Sequence, residues 1–192
     1  VMVDIDNDGD LDLYVVSGSN EHNYDSPNLQ DQLYINDGKG EFSNETQGRL
    51  PVMITSGQRV TAADYDRDGD MDLFVGGRQV PGYYPFAPRS FLLRNEGGRF
   101  AEVTGRSPDL LGPGLVTESV FDDFDGDGDQ DIVDMLVPRS AGLPHTQMVK
   151  HLRLWMDTWI AMKSLSVLEI KKTAISLGHI KTRIDMTTKI VS

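Results

Sequence analysis

Three copies of one run, Asp-x-Asp-x-Asp-Gly-Asp-x-Asp, set the period of this chain and limit what it can fold into. The copies span Asp4–Asp12, Asp64–Asp72 and Asp123–Asp131, and they start 60 and then 59 residues apart. Fifteen of the 21 aspartates before residue 138 lie in them. Five carboxylates in nine residues are tolerable only where water solvates them or a cation neutralises them. Recurrence at a nearly fixed period makes each run part of a repeated structural unit. A merely solvated loop would need the same glycine-centred spacing to arise three times independently, so the cation reading is taken forward.

The spacing suits one kind of cation. With Asp4 as position 1, Asp6 and Asp8 occupy positions 3 and 5, Gly9 position 6, Asp10 position 7 and Asp12 position 9. Side chains at 1, 3 and 5 of a curling loop converge on one point, the glycine permits the sharp turn, and the position 7 carbonyl points inward. The position 9 carboxylate then closes the shell in bidentate fashion. Such a set supplies the 6–8 oxygen ligands that Ca²⁺ takes, whereas Mg²⁺ demands a stricter octahedron. The candidate metal residues are therefore Asp4, Asp6, Asp8, Asp10 and Asp12 in the first run, and Asp64, Asp66, Asp68, Asp70 and Asp72 in the second. Asp123, Asp125, Asp127, Asp129 and Asp131 make up the third, for about three calcium sites. Asp10, Asp70 and Asp129 enter through their backbone carbonyls. An EF-hand is excluded on two grounds: its bidentate glutamate at position 12 is here Val15, Val75 or Asp134, and its flanking helices are replaced by strand patterns.

Each run leads into a short apolar segment of β character, namely Leu11–Val16, Met71–Val75 and Gln130–Val133, the first two ending at Gly18 and at Gly76-Gly77. Further on, Leu33–Gly38 and Leu92–Gly97 each carry a strand into an Asn/Gly turn, followed by Phe42 or Phe100 and by a threonine four residues later, Thr46 or Thr104. Asn and Gly tolerate the positive φ of a tight hairpin turn. Val60–Ala63 and Ser119–Phe121 read as the strands entering the second and third runs. Four short antiparallel strands in about 60 residues match a propeller blade, which buries its faces only against other blades. The expected fold is all-β, a partial β-propeller of two complete blades and the start of a third. Two loops are long, Ser17–Asp31 and Arg78–Ser90. Tyr83, Tyr84 and Phe86 in the second are read first as packing against a neighbouring blade and second as a binding surface.

The net charge of −12 averages two unlike parts. Residues 1–137 hold 27 acidic against 9 basic side chains, and residues 138–192 hold 3 against 9. The acidic part repels phosphate, which argues against nucleic acid and for divalent cations. There is no cysteine, so neither disulfides nor thiolate metal sites are available. No apolar stretch approaches the ~20 residues of a membrane-spanning helix.

The residues Asp4–Val16, Leu33–Phe42, Ala63-Asp64 through Gly76-Gly77-Arg78, Val80-Pro81-Gly82, Pro88-Arg89-Ser90, Phe91–Thr104 and Asp122–Val133 resemble the FG-GAP/VCBS repeats of integrin α-like β-propellers. Within that group they look most like cartilage-acidic-protein-like bacterial proteins that often carry an ASPIC/UnbV domain. The resemblance covers residues 1–137. It implies a seven-bladed or similar propeller with calcium in the blade loops, an extracellular or cell-surface setting, and a role in adhesion, ligand binding or scaffolding. The ligand so implied is a protein or glycan, and the repeats carry no catalytic apparatus. The integrin-type Phe-Gly…Gly-Ala-Pro signature is absent. The alternative reading is the propeller portion of a polysaccharide-active extracellular lyase or hydrolase.

After Val137 the pattern stops. No asparagine follows Asn95 and no phenylalanine follows Phe124. Met148, Leu152, Trp155, Trp159 and Met162 recur at the spacing of an amphipathic helix. Residues 138–192 also hold 16 Ile, Met and Thr in 55 residues, against 13 in the preceding 137. A one-base slip through GA-initial aspartate codons yields those three residues. The first expectation for residues 138–192 is therefore a frameshift product, and the second a genuine basic helical tail. His145, His151 and His179 lack ligand spacing. A start at Val1-Met2-Val3-Asp4, with no initiator methionine or signal peptide, reads as a fragment.

Overall fold

A computed structural model describes residues 1–111, 113–123, 128–137 and 188–189, which belong to one compact unit. Almost all regular structure among them is antiparallel sheet. The first sheet runs β1 (Met2–Val3), β2 (Asp12–Val15), β3 (Gln32–Asn36) and β4 (Phe42–Asn44), each strand hydrogen-bonded to the next. A single helical turn, α1 (Thr46–Arg49), follows it. The second sheet repeats the order with β5 (Ser56–Ala63), β6 (Asp72–Gln79), β7 (Phe91–Asn95) and β8 (Phe100–Glu102). The third begins with β9 (Leu115–Asp122) and β10 (Asp131–Val137), beside which lies β11 (Thr188–Lys189). These are two complete propeller blades and the start of a third.

Strand periodicity explains why the central strands of the second sheet carry unbroken apolar runs, Leu73–Val75 in β6 and Phe91–Leu93 in β7. Side chains alternate between the two faces of a strand, and here both faces are buried. Leu73, Val75, Phe91, Leu93 and Phe100 pack with Val3, Ile5, Tyr14, Leu33 and Met53 of the first blade. Phe74 and Leu92 point the other way, into a cluster with Ile132 of the third blade, Leu110 and Val103. The first sheet has a partner on one face only among the described residues. Val75 and Phe100 are 0% and 7% exposed, whereas Val15 and Phe42, at the same places one blade earlier, are 39% and 43% exposed.

Strand β6 runs on through Gly76-Gly77 to Gln79, past the end expected from those glycines. Close approach accounts for them, of the third blade at Gly76 and of the same blade's β6–β7 loop at Gly77. A Cβ on Gly76 would lie 2.5 Å from Val116 Cγ1, and one on Gly77 would lie 2.3 Å from the Arg89 carbonyl oxygen. One blade earlier the sizes are exchanged: Val16 stands where Gly76 does, and it faces Gly57, whose added Cβ would meet Val16 Cγ2 at 2.6 Å.

The two threonines after the aromatics close each blade in the same way. Thr46 Oγ1 accepts the Leu33 N–H and Thr104 Oγ1 accepts the Leu92 N–H, both at 2.9 Å. The helical-periodicity stretch Met148–Met162, the three tail histidines and most of residues 138–192 lie outside the described residues. Thr188–Lys189, within that segment, is strand.

Candidate metal centre

The three acidic runs join the first strand of each sheet to the second, so the meander brings all of them, with the β3–β4 and β7–β8 hairpin turns, to one end of the blades. Glycine at position 6 makes each curl possible, with φ of 94°, 97° and 93° at Gly9, Gly69 and Gly128. Its N–H is held by the position 1 carboxylate in each case: Gly9 to Asp4, Gly69 to Asp64 and Gly128 to Asp123, at 3.0–3.1 Å. The position 5 carboxylate accepts the position 7 N–H, Asp10 to Asp8 and Asp70 to Asp68, both at 2.9 Å.

These bonds aim the other oxygens inward. Ligand atoms of Asp4, Asp6 and Asp8 lie within 4.8 Å of one another, as do those of Asp64, Asp66 and Asp72. Asp4 Oδ1, Asp6 Oδ1 and Asp66 Oδ1 are shut off from solvent and have no hydrogen-bond partner. An orphaned buried carboxylate oxygen costs free energy unless something positive meets it. An all-oxygen donor set with such orphans fits a hard divalent cation. In the third run Asp123, Asp129 and Asp131 are described, and Asp125 and Asp127 lie outside the described residues.

The position 9 aspartates do more than the sequence suggested. Asp12 and Asp72 are fully buried. Asp12 Oδ2 accepts the Ile5 N–H and Oδ1 the Asn36 N–H, both at 2.9 Å. Asp72 repeats this with Tyr65 at 3.2 Å and Asn95 at 2.7 Å. Each therefore locks its loop to the hairpin of the same blade. Burial pushes Asp72 up to about 7 against the pull of the Asn95 and Tyr65 N–H groups, and the Asp66 and Asp68 charges add to the rise. Burial also raises Asp12 and Asp66. A cation beside these groups would favour their charged forms.

The hairpin asparagines are held for a different reason from the one their turn propensity implies. Positive φ falls on Gly38, Gly40, Gly97 and Gly98, while Asn36 and Asn95 end strands β3 and β7. The side chains are what the site uses. Asn36 Nδ2 donates to the Leu11 carbonyl and Asn95 Nδ2 to the Met71 carbonyl, both at 3.2 Å, and both residues are position 8 partners. Their recurrence after the first and second runs was the available signal.

The side chains of positions 7 and 4 also have defined partners. Asp70 Oδ1 accepts from Asn7 Nδ2 and Oδ2 from the Gly97 N–H, both at 2.7 Å. Asp129 pairs with Arg67 at 3.1 Å. Arg49 Nη1 reaches Asp6 Oδ2 at 3.1 Å and the Gly98 carbonyl at 3.3 Å. Composition gave no sign of these links.

At the opposite end of the blades, the long β2–β3 and β6–β7 loops meet. Tyr24 and Tyr83 stack edge to face with centroids 5.8 Å apart. With Val80, Phe86 and Ala87 they line a cleft of about 410 Å³. The Gly82 N–H, bonded to Asn20 Oδ1 at 3.0 Å, ties the two loops together. Tyr83, Tyr84 and Phe86 are 54%, 56% and 68% exposed, so the expectation that they are buried between blades fails, although Tyr83 meets the first blade through the Tyr24 ring. Turn bonds from Tyr83 N–H to the Val80 carbonyl and from Phe86 N–H to the Tyr83 carbonyl fold this segment onto itself, at the ends of the sheets.

Residues 4–75 match the family model of the FG-GAP-like repeat, and this stretch of the chain is such a repeat. No curated protein matches the chain. No helix among the described residues is long and apolar enough to cross a membrane.

Proposed function

We propose that the acidic loops hold calcium and that these blades form a calcium-stabilised binding or scaffolding body of a secreted or cell-surface protein, without catalysis of their own. The observation that carries the reading is the set of orphaned, solvent-excluded oxygens of Asp4, Asp6 and Asp66, each inside a cluster of carboxylates. The first loop would hold the ion with Asp4, Asp6 and Asp8, the Asp10 carbonyl and Asp12. The second would use Asp64, Asp66 and Asp68, the Asp70 carbonyl and Asp72. In the third, Asp123, Asp125, Asp127, the Asp129 carbonyl and Asp131 stand at the corresponding sequence positions. The ion supplies charge neutralisation there, and the loop residues supply a closed oxygen shell. Extracellular modules of this kind bind at ~10⁻⁴–10⁻³ M, which suits the FG-GAP setting outside the cell.

The ligand surface is the aromatic cleft of Tyr24, Tyr83 and Phe86, at the end of the blades away from the metal loops. Flat exposed rings beside amides such as Asn20 suit the apolar face of a sugar ring or a peptide side chain. The test has two arms. Melting is measured in excess calcium and in chelator; a rise of several degrees with calcium is expected, and equal melting temperatures refute the calcium reading. Polysaccharides are then incubated with the protein: binding without turnover supports the binding module, and turnover supports the enzyme alternative.

A further inference from the structure

The first two metal loops are joined to each other by side chains that their ligand spacing does not require. Three successive residues of the first loop reach the second blade. The Ile5 carbonyl accepts from Asn95 Nδ2 at 2.7 Å in a buried contact. Asp6 is tied through Arg49 to the Gly98 carbonyl. Asn7 Nδ2 donates to Asp70 Oδ1 at 2.7 Å. On the far side, the same Asn95 amide nitrogen also donates to the Met71 carbonyl, and its N–H is held by Asp72. Asn95 is thus a junction between position 2 of one loop and positions 8 and 9 of the next.

The pattern recurs at the next step. Asn7 and Arg67 both occupy position 4, and both have positive φ, 58° and 61°. That conformation is uncommon away from glycine and is held by the loop's closure. Each reaches the position 7 aspartate of the following loop, Asp70 or Asp129. At this position of the third run stands Gly126, which has no side chain to pass the link on. A role for the position 7 side chain follows: with both oxygens of Asp70 held by Asn7 and Gly97, it fixes the segment whose carbonyl would be offered to the ion.

We infer that adjacent cation sites are coupled, the closed first loop pre-ordering the second through Asn7–Asp70 and through Asn95. This rests on the calcium reading above. Coupling between sites is reciprocal, so ordering the second loop must favour the first by the same factor.

The experiment uses the full chain and terbium, a calcium-sized ion whose luminescence is excited through a nearby tyrosine. Tyr65, at position 2 of the second loop, reports that site, and Tyr65→Phe checks the assignment. Asn7→Gly keeps the backbone geometry at position 4 and removes the amide; Asn7→Asp places a repelling charge against Asp70. Neither changes a second-loop ligand. Asn7→Gly is expected to weaken second-loop binding about fivefold, the lower end of typical site coupling, and Asn7→Asp to weaken it further. Asp4→Asn, which empties the first loop, should do the same, and Asp66→Asn should weaken the first loop by an equal factor in calorimetric titration. Melting in chelator serves as the folding control. Second-loop affinities within twofold of wild type in all first-loop variants would overturn the coupling and leave the calcium reading standing. Absence of any ion binding by the wild type would overturn both.

Discussion

Tyr14 and Asp31 form a buried polar pair whose removal has a calculable pH signature. Asp31 is fully buried; its Oδ2 accepts from the Tyr14 hydroxyl and its Oδ1 from the Ser17 N–H, both at 2.7 Å. Burial raises its pKa to about 6 in spite of these two donors, whereas a carboxyl in an unfolded chain titrates near ~3.9. The folded chain therefore binds this proton more tightly than the unfolded chain does. The resulting stabilisation is complete below pH ~4 and is lost as pH rises through ~6. A difference of about two units corresponds to about 3 kcal/mol. The next blade carries a neutral version at the same places, Phe74 and Ser90, with Ser90 Oγ accepting the Gly77 N–H at 3.1 Å. Tyr14→Phe alone strips a donor from a buried carboxylate and should cost about 1.5–3 kcal/mol at neutral pH. The double variant Tyr14→Phe/Asp31→Ser should recover most of that loss. In urea unfolding from pH 4 to 7.5 at fixed calcium, its stability relative to wild type should climb by about 2–3 kcal/mol. Every other aspartate is common to both proteins and cancels. A difference that stays flat across this range would refute the titration of Asp31.

Two more substitutions test the packing directly. Gly76→Ala places a methyl against Val116 and should cost about 1–3 kcal/mol, with Val116→Ala in the same chain restoring much of it in denaturant unfolding. Thr104→Val keeps the shape but leaves the buried Leu92 N–H without its acceptor, for a loss of about 1–3 kcal/mol read in the same assay.

The sequence carried the periodic features of this fold well. Strands announced themselves by β-branched and aromatic runs after each acidic loop, and the fixed 1-3-5-6 spacing of Asp and Gly led to the observed curl. What it concealed were relations between repeats. Gly76-Gly77 looked like the end of a strand, because glycine for a turn and glycine for a close neighbour are the same letter. Asn36 and Asn95 looked like turn formers, since side-chain bonds to a carbonyl more than twenty residues away leave no local signal. Asp12 and Asp72 were read only as ligands, although each also holds two backbone N–H groups. Tyr83, Tyr84 and Phe86 were read first as packing because apolar side chains usually bury, and a loop beyond the sheet ends has only the neighbouring loop, through Tyr24 and Asn20, to meet.

The exchange of valine and glycine between successive blade contacts has a consequence for the order of the repeats. The first junction sets Val16 against Gly57, and the second sets Gly76 against Val116. Splicing the first blade directly to the third would press Val16 onto Val116. Duplicating the second in tandem would oppose Gly76 to Gly57 and leave a hollow. Sequences similar enough to share a loop, a hairpin and a threonine latch are thus kept from trading places. Each blade recognises its proper successor by the presence or absence of a single side chain.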